Sequence, residues 1–77
     1  MTENAYPLRR PRVTVLPVQD GDPPYRLVEI DGEVAGTAAA MTDVLAVAAT
    51  AGIRINDLDD LDTVRWVGGD KLTWKRH

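Results

Sequence analysis

Runs of alternating and β-branched residues predict three strands in the first half of the chain. Residues 12–18 (RVTVLPV) form the first, which Pro17 places at a sheet edge or ends early, because proline cannot donate a ladder hydrogen bond. Tyr25–Ile30 and Glu33–Ala38 flank an Asp-Gly pair, and such a pair between two extended runs predicts a type I′ hairpin. A two-residue turn makes four pairs: Ile30 with Glu33, Glu29 with Val34, Val28 with Ala35 and Leu27 with Gly36.

Residues 42–51 are predicted to form a helix. Thr42 would cap its first turn, Asp43 suits the positive end of the helix dipole, and Gly52 supplies a left-handed stop. Gly36 leaves so little bulk on its strand that the helix is expected to approach it closely. The stripe expected on the sheet, at i, i+3, i+4 spacing, consists of Met41, Val44, Leu45, Ala48 and Ala49.

The opposite helix face carries Ala46, Val47 and Thr50 and is nearly uncharged. Surface helices normally carry Lys and Glu at such positions. We therefore expect this face to be covered, either by the C-terminal part of the same chain or by a second protomer.

The C-terminal part predicts a second hairpin, with residues 63–67 and 71–75 joined by Gly68-Gly69-Asp70. A three-residue loop pairs Trp66 with Leu72 and Val64 with Trp74, which places the apolar side chains on one face. The acidic residues 53–62 before it predict a single capped helical turn with Leu58 and Leu61 pointing inward.

Together these elements predict an α+β fold, in which an antiparallel sheet of about five strands carries one helix on one face. The order along the chain would be β-β-β-α-β-β. Residues 12–77 would form this single domain, and residues 1–11 a tail that Tyr6 and Leu8 anchor on it. No sequence motif assigns the chain to a known family.

The composition argues against an enzyme. The chain has 77 residues, no Cys, no Ser and a single His, at His77, so the commonest nucleophiles and a well-placed general base are missing. We expect no catalytic residues, no cofactor and no small-molecule substrate. The acidic run 57–62 fails the EF-hand pattern, because positions 5, 6 and 12 are Leu61, Asp62 and Gly68. No metal site is predicted, although a weak divalent site in this run is left open.

The net charge of −3 is unevenly distributed. Residues 1–12 carry +2, residues 13–62 carry −8 and residues 63–77 carry +3, so basic ends flank an acidic middle. A basic β-ribbon can enter the major groove of DNA. A DNA-binding module is therefore the alternative function, using Arg9, Arg10, Arg12, Arg65, Lys71, Lys75 and Arg76.

The leading hypothesis is a small non-enzymatic regulatory module that binds a protein partner or a second copy of itself. Its binding residues would be Trp66, Trp74, Val47 and Thr50, because aromatic side chains dominate many interfaces and the helix face lacks charge. The N-terminus has no apolar signal segment and no stretch is long enough to span a bilayer, so a cytoplasmic protein without membrane contact is expected.

Overall fold

The computed structural model describes residues 11–75, and in that range the chain forms four strands and one helix. Their order is β1 (Val13–Gln19), β2 (Tyr25–Ile30), β3 (Glu33–Ala38), α1 (Met41–Thr50) and β4 (Val64–Trp66). The strands build one sheet in the order β3-β2-β1-β4, and α1 packs on β3 and β2.

The predicted α+β class is confirmed, but the antiparallel sheet of about five strands is wrong. In residues 11–75 the sheet has four strands, and β4 runs parallel to β1. The chain leaves β3 through α1 and returns along the free side of β1, which makes the last strand parallel. The predicted tail 1–11 lies outside the described residues except for Pro11, as do the proposed anchors Tyr6 and Leu8.

The Asp31-Gly32 hairpin is confirmed. Asp31 has φ 53° and Gly32 has φ 87°, as a type I′ turn requires. The first two predicted pairs form, and a bulge then shifts the register by one residue. The pairs predicted beyond it are therefore wrong, and the observed ones are Val28 with Gly36 and Leu27 with Thr37.

Strand β1 lies inside the sheet and continues through Pro17 to Gln19, so the predicted edge position and the alternative of an early end are both wrong. It pairs with β2 on one side and, through Val13–Val15, with β4 on the other. Pro17 is accommodated because it falls in an irregularity of the β1–β2 register, between Val15 and Val18. A proline at a bulge leaves no ladder hydrogen bond unmade.

The helix begins one residue earlier than predicted and ends in a Schellman motif. Its N-cap is Ala40 without a side-chain cap, so the predicted Thr42 cap is wrong; the Asp43 carboxylate instead accepts from the Ala39 N–H at 2.9 Å. Gly52 has φ 76° and Ile53 N–H donates to Ala48 O at 2.9 Å, which confirms the left-handed stop.

The buried face of α1 is rotated from the predicted stripe. Val44 and Ala48 are buried and Val47 is half-buried, whereas Leu45 and Ala49 are exposed. Val47 contacts the sheet because a Cβ on Gly36 would lie only 3.0 Å from its Cγ2. The expected close approach of helix and strand at Gly36 is thus confirmed.

Small aliphatic side chains make up the core between sheet and helix. Half-buried apolar side chains that follow α1 in the chain pack against this core, among them Ile53, Ile55 and Leu58. The buried set is Val13, Val15, Val28, Ile30, Ala38, Val44, Ala48 and Val64.

The prediction of a second, C-terminal hairpin is wrong. Val64 pairs with Val13 and Trp66 with Val15, while residues 67–75 form a loop without a strand. We call residues 67–75 the C-terminal loop. Four of its carbonyl groups accept hydrogen bonds from Arg26 and are therefore not available for a ladder with β4.

Candidate protein-binding surface

Arg26 is the one charged side chain that is buried within residues 11–75, with no exposed surface. Strand alternation places it on the inward face of β2 together with Val28 and Ile30. A buried charge costs several kcal/mol unless its hydrogen bonds are made within the protein. The surroundings of Arg26 must therefore supply acceptors for its guanidinium.

Five backbone carbonyl contacts meet this requirement. Nε donates to Leu16 O at 2.8 Å, and the two terminal nitrogens donate to four carbonyls at 2.8–3.0 Å. Those four belong to the C-terminal loop and are Val67, Gly69, Asp70 and Thr73. The loop is thus folded around one guanidinium, whose fork of N–H groups finds acceptors on every side.

Both tryptophans pack against the same guanidinium. Its carbon lies 5.2 Å from the ring centroid of Trp66 and 5.5 Å from that of Trp74. The two rings are edge-to-face at 6.3 Å, a favourable arrangement for aromatic pairs. We call Arg26, Trp66 and Trp74 the Arg26 cluster.

The indole N–H groups of this cluster also have acceptors. Trp66 Nε1 donates to Leu58 O at 2.9 Å, and Trp74 Nε1 donates to Lys71 O at 2.6 Å. The first bond connects the cluster to the segment that precedes β4, and the second connects it to the C-terminal loop. Each bond fixes the orientation of one ring.

Burial lowers the pKa of Arg26, and the nearby Asp70 charge opposes that effect. A guanidinium has so high an intrinsic pKa that it remains protonated in proteins. The cluster therefore acts as a fixed cation that shapes the loop rather than as a proton donor.

Residues 57–63, the acidic turn segment, form two consecutive Asx turns instead of the predicted helical turn. Asp57 Oδ1 accepts from Asp59 N–H and Asp60 Oδ1 from Asp62 N–H, both at 2.9 Å. Aspartate side chains bind nearby backbone N–H groups in this way and compete with helix formation. Leu61 consequently points outward and is 71% exposed, contrary to its predicted inward position.

A third Asx turn fixes the C-terminal loop. Asp70 Oδ1 accepts from Leu72 N–H at 2.9 Å and from Thr73 Oγ1 at 3.2 Å. Lys71 then forms an ion pair with Asp59 of the acidic turn segment. The hydrogen bond to Asp59 raises the pKa of Lys71. This pair joins the two segments at the surface.

A groove lies between the acidic turn segment and the C-terminal loop, and we call it the Trp66 groove. Its lining surface is mainly apolar, with half-buried Trp66 beside exposed Leu61 and with the Asp59–Lys71 pair also in the lining. The lining residues are Pro11, Asp59, Leu61, Arg65, Trp66, Gly69, Asp70 and Lys71.

The structure places the four predicted protein-binding residues on three different elements, namely β4, the C-terminal loop and α1. Trp66 lines the groove, and Trp74 is half-buried in the Arg26 cluster. Val47 packs on β3, while Thr50 is exposed and its hydroxyl donates to Val47 O at 2.6 Å. Helix and tryptophans lie toward opposite edges of the sheet, so they do not form one surface.

The seven predicted nucleic-acid residues are only partly brought together. Arg9, Arg10 and Arg76 lie outside the described residues, Lys71 is ion-paired, and Lys75 is exposed.

Two others, Arg12 and Arg65, line one polar depression. Thr14 and Asp31 line it as well, and we call it the Arg12–Arg65 depression. Arg12 makes a two-point contact with Asp31 there, Nε to Oδ1 at 2.9 Å and a terminal nitrogen to Oδ2 at 2.8 Å.

Sequence reasoning missed Arg26. The signal was present, because the hairpin register places Arg26 on the same face as Val28 and Ile30. A charged residue at an inward strand position, in a chain whose only tryptophans are Trp66 and Trp74, indicates a buried cation with aromatic neighbours.

Among residues 11–75, no three His, Cys, Asp or Glu side chains are placed so that they could hold a metal ion. In that same range no helix has the length and apolar character needed to cross a membrane.

No family model matches the chain, and no curated protein or solved structure does either.

Proposed function

We propose that the chain is a small non-enzymatic module of the cytoplasm that binds a protein partner through the Trp66 groove. The observation that carries this proposal is the fixation of the groove by one buried guanidinium. Arg26 contacts the Trp66 ring and donates to the carbonyls of Gly69 and Asp70, three residues that line the groove. A groove fixed before binding loses less conformational entropy when a partner binds.

The composition of the groove also supports a protein partner. Protein interfaces combine an apolar, often aromatic centre with a polar rim, and tryptophan is prominent among the residues that dominate binding energy. Trp66 and Leu61 provide the apolar part, and the Asp59–Lys71 pair provides the polar part.

Two leucines of nearly equal exposure allow a matched test. Leu61 is 71% exposed and lines the groove, whereas Leu72 is 70% exposed and is not among its lining residues. We expect Leu61→Asp to abolish capture of a partner by the immobilised full chain from extracts of its source cells. Leu72→Asp should retain that partner, as identified by quantitative mass spectrometry.

If the native chain and Leu61→Asp capture the same set of proteins, the groove is not the binding surface. Circular dichroism and thermal melting of both variants establish that they are folded, since substitutions at such exposed positions usually change stability by less than about 0.5 kcal/mol.

Self-association belongs to this proposal as a separate contact. The outward face of α1 carries exposed Leu45, Ala46, Ala49 and Thr50, with Asp43 as the only charged residue of the helix, and a second copy would cover it. Sedimentation should show a concentration-dependent increase above 8.4 kDa that Leu45→Lys reverses. A species that stays at 8.4 kDa at all concentrations contradicts self-association.

Nucleic-acid binding is the second candidate, and the Arg12–Arg65 depression favours it, because two predicted phosphate-binding side chains meet there. Titration with a DNA duplex at two salt concentrations tests it. Binding through phosphates weakens steeply as salt rises. Arg65→Gln should reduce that salt dependence, and absence of binding at low salt would eliminate this candidate.

A further inference from the structure

The described domain is strongly acidic at its surface. Residues 11–75 contain six Lys and Arg against eleven Asp and Glu, a net charge of −5. Arg12 and Lys71 are ion-paired with Asp31 and Asp59, and each pair removes one cation together with one carboxylate, so the pairing leaves the excess of carboxylates unchanged. A partner that carries positive charge is therefore attracted over a distance of about one Debye length.

Much of this negative charge lies beside the Trp66 groove. Asp59 and Asp70 line the groove, and exposed Asp57 and Asp60 belong to the acidic turn segment that forms one of its walls. The two cations in the lining are not equivalent, since Lys71 is paired with Asp59 whereas Arg65 is exposed on β4.

The groove thus combines an apolar centre and a lining of two carboxylates and two cations with the exposed carboxylates of Asp57 and Asp60 beside it. Leu61 is the most exposed large apolar residue of the described chain and lies in the lining next to half-buried Trp66. An apolar side chain of a partner would contact these two, while neighbouring Lys or Arg side chains would meet the carboxylates. Nucleic acid does not fit this surface, because its phosphates would face the same carboxylates.

We propose that the Trp66 groove binds a short basic segment of a protein partner, in which an aliphatic or aromatic residue stands between Lys or Arg residues. This inference rests on the proposed function of the groove and specifies its partner. The basic residues give the association its rate and selectivity, and the central apolar side chain gives it most of its affinity.

Selection from a phage-displayed random peptide library on the full chain tests the inference. The selection uses the native chain alone, and Leu61→Asp with its matched control Leu72→Asp is used only afterwards, to test the enriched peptides. We expect the enriched sequences to carry an apolar residue flanked by at least two Lys or Arg. Enriched peptides should bind Leu72→Asp as well as the native chain and bind Leu61→Asp at least about tenfold more weakly.

Two further measurements on a selected peptide complete the test. Its affinity should fall several-fold when NaCl is raised from about 50 to about 300 mM, because screening weakens the attraction to exposed carboxylates. Asp59→Asn together with Asp60→Asn should reduce both the affinity and its salt dependence.

The outcomes separate this inference from the proposed function. Enrichment of acidic or uncharged peptides that still require Leu61 overturns the basic partner and leaves the groove as a binding surface. Failure to enrich any peptide that discriminates Leu61→Asp from Leu72→Asp overturns both. Resonances of Leu61 and Trp66 that shift with protein concentration alone identify a second copy as the occupant, which also overturns the inference.

Discussion

The guanidinium of Arg26 lies 5.2 Å from the ring centroid of Trp66, although β2 and β4, the strands that carry them, are not neighbours in the sheet. Strand β1 lies between them, and Arg26 Nε donates to Leu16 O of that strand. One side chain thus connects the N-terminal hairpin to the C-terminal loop. Because the loop contains no strand and no helix, its conformation depends on contacts of this kind.

Arg26→Met is therefore expected to be among the most damaging single substitutions. It keeps much of the side-chain volume but removes the donors of five hydrogen bonds, which leaves partly buried carbonyl groups without their donor. We expect a loss of about 3–5 kcal/mol, from a total of about 4–12 kcal/mol for a chain of this length.

Urea unfolding followed by tryptophan fluorescence measures this loss, because both indoles contact Arg26. Arg54→Met is the control: Arg54 is exposed, so the midpoint should hardly change. Arg26→Lys should recover only part of the stability, since an ammonium group cannot reproduce the planar fork of donors. A midpoint for Arg26→Met within error of the native value would contradict a supporting role for this side chain.

Local sequence signals predicted the elements that local chemistry determines. Asp31-Gly32 specified its turn because both residue types tolerate the positive φ that a type I′ turn requires, and Gly52 specified the helix end because glycine adopts the left-handed backbone of a helix stop without steric cost. Gly36 also indicated its close neighbour correctly, although the bulge before it was not foreseen.

The C-terminal part could not be predicted in this way. The alternation that suggested a hairpin from Val64 to Trp74 is real, and the two tryptophans do share one environment, but they meet around Arg26 rather than across a ladder. The parallel pairing of β4 with β1 joins residues far apart in the chain. Short-range patterns contain no information about which distant strand becomes a neighbour.

Gly52 and Gly68 provide a comparison between backbone strain and steric overlap. Their φ values are nearly the same, 76° and 75°, but a Cβ on Gly52 meets no atom within 4 Å, whereas a Cβ on Gly68 lies 2.7 Å from Cγ of Pro17. Gly52→Ala should cost about 1–2 kcal/mol for the left-handed backbone alone. Gly68→Ala should cost about 1–3 kcal/mol more, because the overlap has to be relieved as well.

Thermal unfolding of the two variants side by side measures this difference. Equal losses of stability would show that the C-terminal loop moves away from Pro17 without cost, which would contradict its fixation by Arg26.

The contact between Gly36 and Val47 predicts a cost that a second substitution reverses. A Cβ on Gly36 would lie 3.0 Å from Cγ2 of Val47, closer than ordinary contacts, so Gly36→Ala should displace α1 and destabilise the fold by about 1 kcal/mol. In a Val47→Ala background the added methyl group has room, and Gly36→Ala should then be neutral or slightly stabilising. A double-mutant cycle from urea unfolding gives the coupling free energy between the two substitutions. Additive effects would mean that Val47 of α1 does not approach Gly36 of β3 this closely.

The Arg12–Asp31 pair predicts a pH-dependent contribution to stability. The hydrogen bonds from Arg12, more than its charge, lower the pKa of Asp31 in the folded chain below that of an unfolded aspartate, which is about 3.9. A carboxylate with a lowered folded pKa contributes stability that is fully present above the unfolded value and is lost as the pH falls through the folded value. Urea midpoints of the native chain should therefore fall between about pH 5 and pH 2 more than those of Asp31→Asn.

The matched control for this prediction is the partner residue. In an Arg12→Gln background the pair is already broken, so adding Asp31→Asn should leave the acid dependence nearly unchanged. NMR titration of the Asp31 side-chain carboxyl carbon reports the same effect directly. Its midpoint should rise on Arg12→Gln, because the guanidinium that favours the ionised carboxylate is gone. If the titration midpoint of Asp31 is the same in the native chain and in Arg12→Gln, the ion pair does not persist in solution. An exposed ion pair contributes to stability only when its geometry persists.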